Sequence, residues 1–340
     1  MGIDKKLLSK ESFEKLVSKL ISDDKKVMAP VKKAKLVEFQ YISSFDEMTD
    51  DYILTTQSAK SVAFPRYEKY LDYSTSKKGV RLKDTDINAI PEVMLIGVRP
   101  CDANGFSSLD AIFGWDYKDE LYLEKYKKTT VIGISCHKSD AYCFCTSVGG
   151  HPGSTKGSDI LLTKLSNGDF LAEIITEKGQ KVLTSYPDFF EAPSTEEKDK
   201  NLAVVEVKFD VNKITSNLAA YFENPLWIDQ SLRCIGCGAC AYVCPTCACF
   251  DIQDEYNLKF GNRTRCWDSC GYSMFTIHTS GHNPRVVQSQ RWRQRVMHKF
   301  SYMPDRLNVV GCVGCGRCSR ACPVDMNLSE HLVNISEVIK

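Results

Sequence analysis

The sequence predicts an α/β N-terminal domain followed by a mainly helical C-terminal domain, with the boundary near residue 215. Three observations lead to this prediction: strand-like hydrophobic runs before residue 215, an amphipathic helix near the start of the chain, and a concentration of cysteines after residue 230. The 340 residues are enough for two domains with cores of their own. We place these domains at 1–215 and 216–340.

The N-terminal part begins with a predicted amphipathic helix. Its apolar residues follow the spacing of a single helical face, at Phe13, Leu16, Val17, Leu20 and Ile21. Strand-like runs follow at 37–42, 93–98, 130–135 and 202–209. The segments 159–165 and 170–176 flank a Ser-Asn-Gly-Asp turn and predict a β-hairpin. The polar segment 185–201 predicts a surface loop.

The C-terminal part begins with a helix predicted over 212–227 and ended by Pro225. Beyond it, the pattern C-x2-C-x2-C-x3-C-P occurs twice, at 234–245 and at 312–323. Three cysteines at i, i+3 and i+6 can wrap around one corner of a cubane iron–sulfur cluster, each ligating a different iron atom. In two-cluster ferredoxins the fourth cysteine, just before proline, ligates the other cluster.

We therefore assign one [4Fe–4S] cluster to Cys234, Cys237, Cys240 and Cys322, and a second to Cys312, Cys315, Cys318 and Cys244. Glycines suit such a site because the backbone must approach the cluster closely, and the motifs contain Gly236, Gly238, Gly314 and Gly316. Structural zinc is the alternative. Zinc sites, however, commonly use two separated C-x2-C pairs and need neither the third cysteine nor the proline.

Clusters of this kind pass one electron at a time, so the paired motif predicts an electron-transfer module. The 67 residues between the motifs, 245–311, are too many for a minimal bacterial ferredoxin. They indicate the larger, helical type of two-cluster domain that occurs in subunits of bigger enzymes. The complete fold prediction is an α/β N-terminal domain plus a mainly helical two-[4Fe–4S] ferredoxin-like C-terminal domain.

Four further cysteines lie in the α/β part, at Cys101, Cys136, Cys143 and Cys145. Cys101 and Cys136 each follow a predicted strand, and the carboxyl ends of neighbouring parallel strands form the sites of α/β sheets. The loop after Cys136 brings Cys143 and Cys145 back to the same edge. We predict a third [4Fe–4S] cluster here. Buried reduced thiols and another metal remain open as alternatives.

The remaining four cysteines are Cys247, Cys249, Cys266 and Cys270. Their number allows a further metal site, aided by His278 or His282. Packing around the paired clusters is the interpretation that we favour.

Composition excludes several function classes. A net charge of +1 creates no global field that selects nucleic acid or an anionic membrane. We interpret the basic stretch 282–300 as a docking face or a solvated helix. The sequence contains no dinucleotide or P-loop fingerprint, so a flavin or nicotinamide is expected on another chain. It contains no Ser-His-Asp arrangement either.

Location follows from the N-terminus and the cysteines. The first residues carry too much charge for a signal peptide, and no apolar run reaches the length of a membrane helix. Sixteen cysteines in a reducing compartment indicate metal or redox chemistry and not disulfides. We predict a cytoplasmic protein without a membrane span.

The chain resembles the beta subunits of cytoplasmic NiFe sulfhydrogenases and the A subunits of anaerobic sulfite reductases, which belong to one iron–sulfur family. The resemblance covers nearly the whole chain. It rests on RPCDANG, GISC…YCFC, CxxCGxCxxxCPTCxCFD, RCWDSC, SGHNPR and CVGCGRCxxxCP. The family pattern also has cysteines that match Cys101, Cys136, Cys143, Cys145, Cys247, Cys249 and Cys270. Cys266 departs from the pattern, where arginine is more usual, which leaves Cys247, Cys249 and Cys270 as the less certain metal ligands.

The resemblance implies an anaerobic hetero-oligomer of the hydrogenase, sulfite reductase or heterodisulfide reductase type. In it, this chain would relay electrons between a flavin subunit that handles NAD(P)H and a catalytic subunit. One alternative is a self-contained iron–sulfur reductase of a sulfur compound. Another is a regulatory iron–sulfur sensor, which would need a DNA-binding element that we do not find in the sequence.

Overall fold

The computed structural model describes residues 3–193 and 196–339. Its strands are β1 Asp4–Leu8, β2 Lys26–Lys33, β3 Leu36–Tyr41, β4 Tyr67–Ser76, β5 Gly79–Asp84, β6 Val93–Val98, β7 Thr129–Ile134, β8 Ile160–Lys164, β9 Phe170–Ile174, β10 Phe250–Tyr256 and β11 Phe260–Trp267. Its α-helices are α1 Lys10–Ser22, α2 Pro100–Phe113, α3 Glu120–Lys127, α4 Glu177–Ser185, α5 Val211–Asn217, α6 Leu226–Ser231, α7 Ala239–Tyr242, α8 Gln288–Met297, α9 Met303–Leu307, α10 Arg317–Arg320 and α11 Leu328–Val338.

A seven-stranded sheet with the order β1-β9-β8-β7-β6-β2-β3 organises the N-terminal part. Its centre is parallel, from β2 through β6 and β7 to β8, and antiparallel strands close both edges. Both faces are covered. Met94 and Ile96 of β6 pack in the same core as α1, whereas Val93 and Leu95 pack in the same core as α2. Because β6 is buried on both faces, it is hydrophobic without alternation.

A second sheet, with the order β10-β11-β4-β5, joins distant parts of the sequence. Strands β10 and β11 lie between the two cysteine motifs, and β11 pairs antiparallel with β4 from the N-terminal part. The expectation of a mainly helical C-terminal domain missed this hairpin. Strand β10 is almost entirely exposed, and the buried residues of β11 include two that are adjacent, so neither strand has the half-buried alternation by which a strand is recognised in a sequence.

The C-terminal helices pack around a third core. Trp292, Val296 and Phe300 follow one another at intervals of one helical turn, along α8 and the π-helical turn His298–Tyr302 that continues it. They share this core with Trp227 and with α11, and also with Phe144 from the loop after β7. None of the described helices is both long and apolar enough to cross a membrane.

Most of the predicted N-terminal elements are confirmed. The helix is α1, the runs at 37–42, 93–98 and 130–135 are β3, β6 and β7, and the hairpin is formed by β8 and β9. The predicted loop 185–201 contains two short 3-10 turns, Pro187–Phe189 and Lys198–Asn201, and its residues 194 and 195 lie outside the described residues.

Two predicted elements are wrong. The segment 202–209 is not a strand: Ala203 donates its amide to the Cys136 carbonyl and Lys208 to the Ser147 hydroxyl, so it follows a loop and not a sheet edge. The helix predicted over 212–227 is divided into α5, a 3-10 turn at Leu218–Tyr221, and α6, which begins after Pro225. The domain boundary near residue 215 stays a prediction.

Candidate iron–sulfur centres

The first group of cysteines combines both motifs. A pocket that is open to solvent is lined by Cys234, Cys237 and Cys240 of the first motif and by Cys322 of the second. Cys237 is exposed, so this group lies at the protein surface. The Gln288 side-chain amide donates to the Cys234 sulfur at 3.0 Å, and the Met326 backbone amide donates to the Cys322 sulfur at 3.2 Å. Such donors stabilise negative charge on sulfur.

The second group is deeper in the protein. Cys244 at the end of the first motif interacts electrostatically with Cys312, Cys315 and Cys318 of the second motif. Cys244 and Cys315 are buried. The Gly314 amide lies 3.4 Å from the Cys312 sulfur. The structure places Cys322 beside the first motif and Cys244 near the second, and the assignment of each cysteine to a cluster stays a prediction.

The third group lies at the carboxyl edge of the large sheet. Cys101 follows β6 and Cys136 follows β7, and these two strands are parallel neighbours. Cys143 and Cys145 come from the loop that follows, and all four cysteines line one small pocket. The sequence prediction that these residues meet therefore agrees with their placement.

The second and third groups are direct neighbours. Cys315 of the second group also lines the cavity of the third, and the Phe144 amide donates to the Gly314 carbonyl at 2.9 Å. Gly314 and Gly316 both have a positive φ, and a side chain at Gly314 would meet the Cys145 nitrogen at 2.5 Å. Glycine is required here because the second motif presses its backbone against the loop that carries Cys143 and Cys145.

The last four cysteines do not form one group. The Cys249 and Cys270 thiols are in hydrogen-bond contact, and Cys247 contacts Cys244 in the same way. Cys266 lies apart on β11, opposite Asp251. His278 and His282 are exposed and contact each other. Within the described part of the chain, no three His, Cys, Asp or Glu side chains converge closely enough to hold a single metal ion.

Two comparisons with known proteins identify the chain. A family model described as a 4Fe-4S dicluster domain matches residues 233–326. The chain is 31% identical over 322 residues to Sulfhydrogenase 2 subunit beta of Pyrococcus furiosus, which covers 92% of both proteins. The chain belongs to the sulfhydrogenase beta-subunit family. No solved structure matches it.

Membership in the sulfhydrogenase beta-subunit family makes this chain an iron–sulfur electron-transfer subunit that binds [4Fe–4S] clusters. The thiols in its groups fit that chemistry. Burial raises the pKa of Cys136 to about 11 and the pKa values of Cys145, Cys312 and Cys318 to about 12. Such thiols stay protonated unless a metal replaces the proton, because iron binds the thiolate. Four cysteines around one cavity match the donor set of a cubane cluster.

Two arginines, the buried Arg317 and the partly exposed Arg320, pair with carboxylates beside the third group. Arg317 contacts both oxygens of Asp102, the residue after Cys101. Arg320 pairs with Asp140 and lies 3.4 Å from the Cys143 sulfur. In each pair the positive charge of the arginine is balanced by a carboxylate.

Three other cations near the cysteines were missed by the sequence analysis: Lys60, Arg295 and Lys299. All three are buried. We interpreted 282–300 as a docking face or a solvated helix, and for Arg295 and Lys299 that interpretation is wrong. The sequence did contain a signal for their burial. Arg295 and Lys299 are four residues apart and lie on the same helical face as the buried Trp292 and Val296. Burial lowers the pKa of Lys60 to about 8.

Proposed function

We propose that this chain relays electrons through three [4Fe–4S] clusters between a flavin subunit that handles NAD(P)H and the catalytic subunit of a hydrogenase-type complex. In this proposal, Cys234, Cys237, Cys240 and Cys322 hold the first cluster. Cys244, Cys312, Cys315 and Cys318 hold the second, and Cys101, Cys136, Cys143 and Cys145 hold the third. The complex would be a cytoplasmic hetero-oligomer.

One observation carries the proposal: the three cysteine groups form a continuous series. Cys318 of the second group lines the cavity of the first, and Cys315 of the second group lines the cavity of the third. The second group therefore lies between the other two. A relay needs this arrangement, because electrons move between centres that are close together.

When bound, clusters of this kind supply one-electron oxidation and reduction. The residues of the chain position these centres and set their surroundings. The cysteines fix each centre, and burial of Cys244 and Cys315 keeps water from the middle of the series. The donors Gln288 and Met326 stabilise negative charge at the outer group. Exposed Cys237 brings that group to the surface, where a partner subunit can approach.

Cys247, Cys249 and Cys270 stay a prediction as additional metal ligands. Their contacts with one another and with Cys244 support closeness, whereas the position of Cys266 supports no role for that residue.

Anaerobic isolation of the native complex tests the proposal. We expect a flavoprotein and a nickel-containing subunit to co-purify, and about 12 iron atoms per chain, since each cubane contains about four. Siroheme in place of nickel would replace the hydrogenase partner by a sulfite reductase. Reduction of sulfite or polysulfide by the isolated chain, supplied with an artificial electron donor, would overturn the relay in favour of a self-contained reductase.

A further inference from the structure

Lys60, Arg295 and Lys299 form a buried cation group beside the second cysteine group. Their exposed fractions are 3%, 5% and 4%. Within the described residues, no carboxylate forms an ion pair with any of them. Because a buried charge without a counter-charge is strongly unfavourable, this group requires negative charge from another source.

The contacts of the cation group point to the cysteines. The Lys299 ammonium lies 3.5 Å from the Cys244 sulfur and donates to the Thr246 hydroxyl at 2.8 Å. The Arg295 guanidinium lies 3.4 Å from the Cys247 sulfur and donates to the Cys240 carbonyl at 2.9 Å. Lys60 donates to the Cys247 carbonyl at 2.9 Å.

The third cysteine group has a different electrostatic environment. Arg317 and Arg320 are close to it, but Asp102 and Asp140 balance their charges. Arg99 is buried beside the third group and donates to the Ser135 and Tyr52 carbonyls, and within the described residues no carboxylate forms an ion pair with it. The third group thus has one such uncompensated cation, whereas the region between the first and second groups has three. Cys240, Cys244 and Cys247, which contact the cation group, all belong to this region.

An iron–sulfur centre gains one negative charge when it accepts an electron. A nearby cation in a low-dielectric interior stabilises the reduced form more than the oxidised form, which raises the reduction potential. An arginine paired with a carboxylate has a much smaller effect, because the two fields largely cancel.

We infer that Lys60, Arg295 and Lys299 raise the potential of the centre held by Cys244, Cys312, Cys315 and Cys318 above that of the centre at Cys101, Cys136, Cys143 and Cys145. With clusters bound, this difference in potential would favour the electron at the C-terminal pair over the centre at the large sheet. Lys299 lies beside the Cys244 sulfur, whereas Arg295 and Lys60 contact the neighbouring Cys240 and Cys247. All three are therefore positioning residues that supply charge. The inference rests on the proposed three-centre relay.

Potentiometric titration of the anaerobically prepared full chain at pH 7, followed by EPR spectroscopy, tests the inference. The variant Lys299→Met removes the positive charge but keeps a side chain of similar length, and Lys299→Arg keeps the positive charge. We expect Lys299→Met to lower the potential of one signal and to leave the third-group signal unchanged, whereas Lys299→Arg resembles the wild type. The variant Cys136→Ser identifies the third-group signal, which disappears, and the signal with the highest potential remains.

Two results would overturn the inference: unchanged potentials in Lys299→Met at wild-type iron content, or loss of the highest-potential signal in Cys136→Ser. If Lys299→Met fails to take up iron, Lys60→Met decides in the same way, because Lys60 touches no sulfur. An iron content of about 8 per chain would instead remove the third centre and with it the proposed relay. The change in reduction potential that Lys299→Met causes in the two remaining C-terminal centres would still be measurable.

Discussion

Arg317 holds Asp102 in a two-point ion pair, with distances of 2.7 Å from Nη1 to Oδ1 and 2.5 Å from Nη2 to Oδ2. Both side chains are almost completely buried. Asp102 follows Cys101 of the third group, and Arg317 lies between Cys315 and Cys318 of the second. The pair therefore fixes the α/β part and the second cysteine motif at the point where two proposed centres meet.

Removing one partner of this pair should be costly. We expect Asp102→Leu to lose about 3–5 kcal/mol of stability, because it leaves the Arg317 charge buried and unpaired. The double variant Asp102→Leu/Arg317→Met should recover much of that loss. Thermal unfolding followed by circular dichroism under anaerobic conditions measures both. In the exposed pair Asp254–Arg263, Asp254→Asn is the control and should cost less than about 1 kcal/mol. Equal effects of the two single variants would contradict the expectation.

Gly314 should tolerate no side chain. Gly314→Ala would place its new carbon 2.5 Å from the Cys145 nitrogen and so displace the loop of the third group. We expect this variant to lose about four iron atoms per chain, measured by chemical analysis of iron and sulfide. Gly281→Ala is the matched control. Gly281 also has a positive φ, but no atom lies within 4 Å of the added carbon, so it should cost about 1 kcal/mol and no iron. Full iron content in Gly314→Ala would contradict the expectation, because it would show that the third group binds its cluster even when this loop is displaced.

Cysteine variants test the assignment of the third group. Cys136→Ser should remove about four iron atoms, because a cubane that loses one thiolate ligand is poorly held. Cys266→Ser should remove none, since Cys266 lies on β11 away from the other cysteines. Iron analysis and EPR spectra of both variants provide the measurement. Loss of iron from Cys266→Ser, or none from Cys136→Ser, would show that the groups are assigned incorrectly.

Acid should weaken the fold through His331. Burial lowers the pKa of this histidine to about 4, and its ring contacts Trp292. An unfolded histidine titrates at about 6.5, so between these values the unfolded chain binds a proton that the folded chain does not. Stability should therefore be constant above the upper value and fall as the pH decreases, by about 1 kcal/mol at pH 5.5 from this residue.

His331→Gln should reduce that dependence. The measurement is the difference in unfolding temperature between pH 7.5 and pH 5.5 for the variant and the wild type, with clusters intact. His298, whose pKa burial also lowers to about 4, accounts for part of the dependence that remains. Equal pH dependence in the two proteins would assign the acid sensitivity to other groups.

The sequence predicted the elements that have strong periodicity. Helix α1 has one apolar face, and β6 and β7 are continuous hydrophobic runs, so each was found close to its true bounds. The first two cysteine groups could be predicted because the spacing within each motif determines which three cysteines lie next to one another. Cys101 and Cys136 could be paired because they follow adjacent parallel strands.

The remaining features depend on contacts that no local pattern reports. The segment 202–209 has the apolar content of a strand, yet Val204 and Val207 are exposed and its backbone bonds to a loop. Strands β10 and β11 form a hairpin that joins the sheet only through β11, and the partner of β11, β4, is far away in sequence. Arg295 and Lys299 have the residue types of a solvated helix, and only the tertiary structure shows them buried beside sulfur.

The pairing of β4 with β11 has a consequence for biosynthesis. Arg265 of β11 contacts Glu68 of β4, 197 residues earlier, and Asp119 before α3. Strand β4 therefore emerges from the ribosome long before its inner neighbour exists, and contacts of such long range form slowly. During that interval, β4 has an unpaired edge that invites aggregation. If the parts that contain β4 and β11 were made as separate chains, each strand would keep an unpaired edge until the two chains associate.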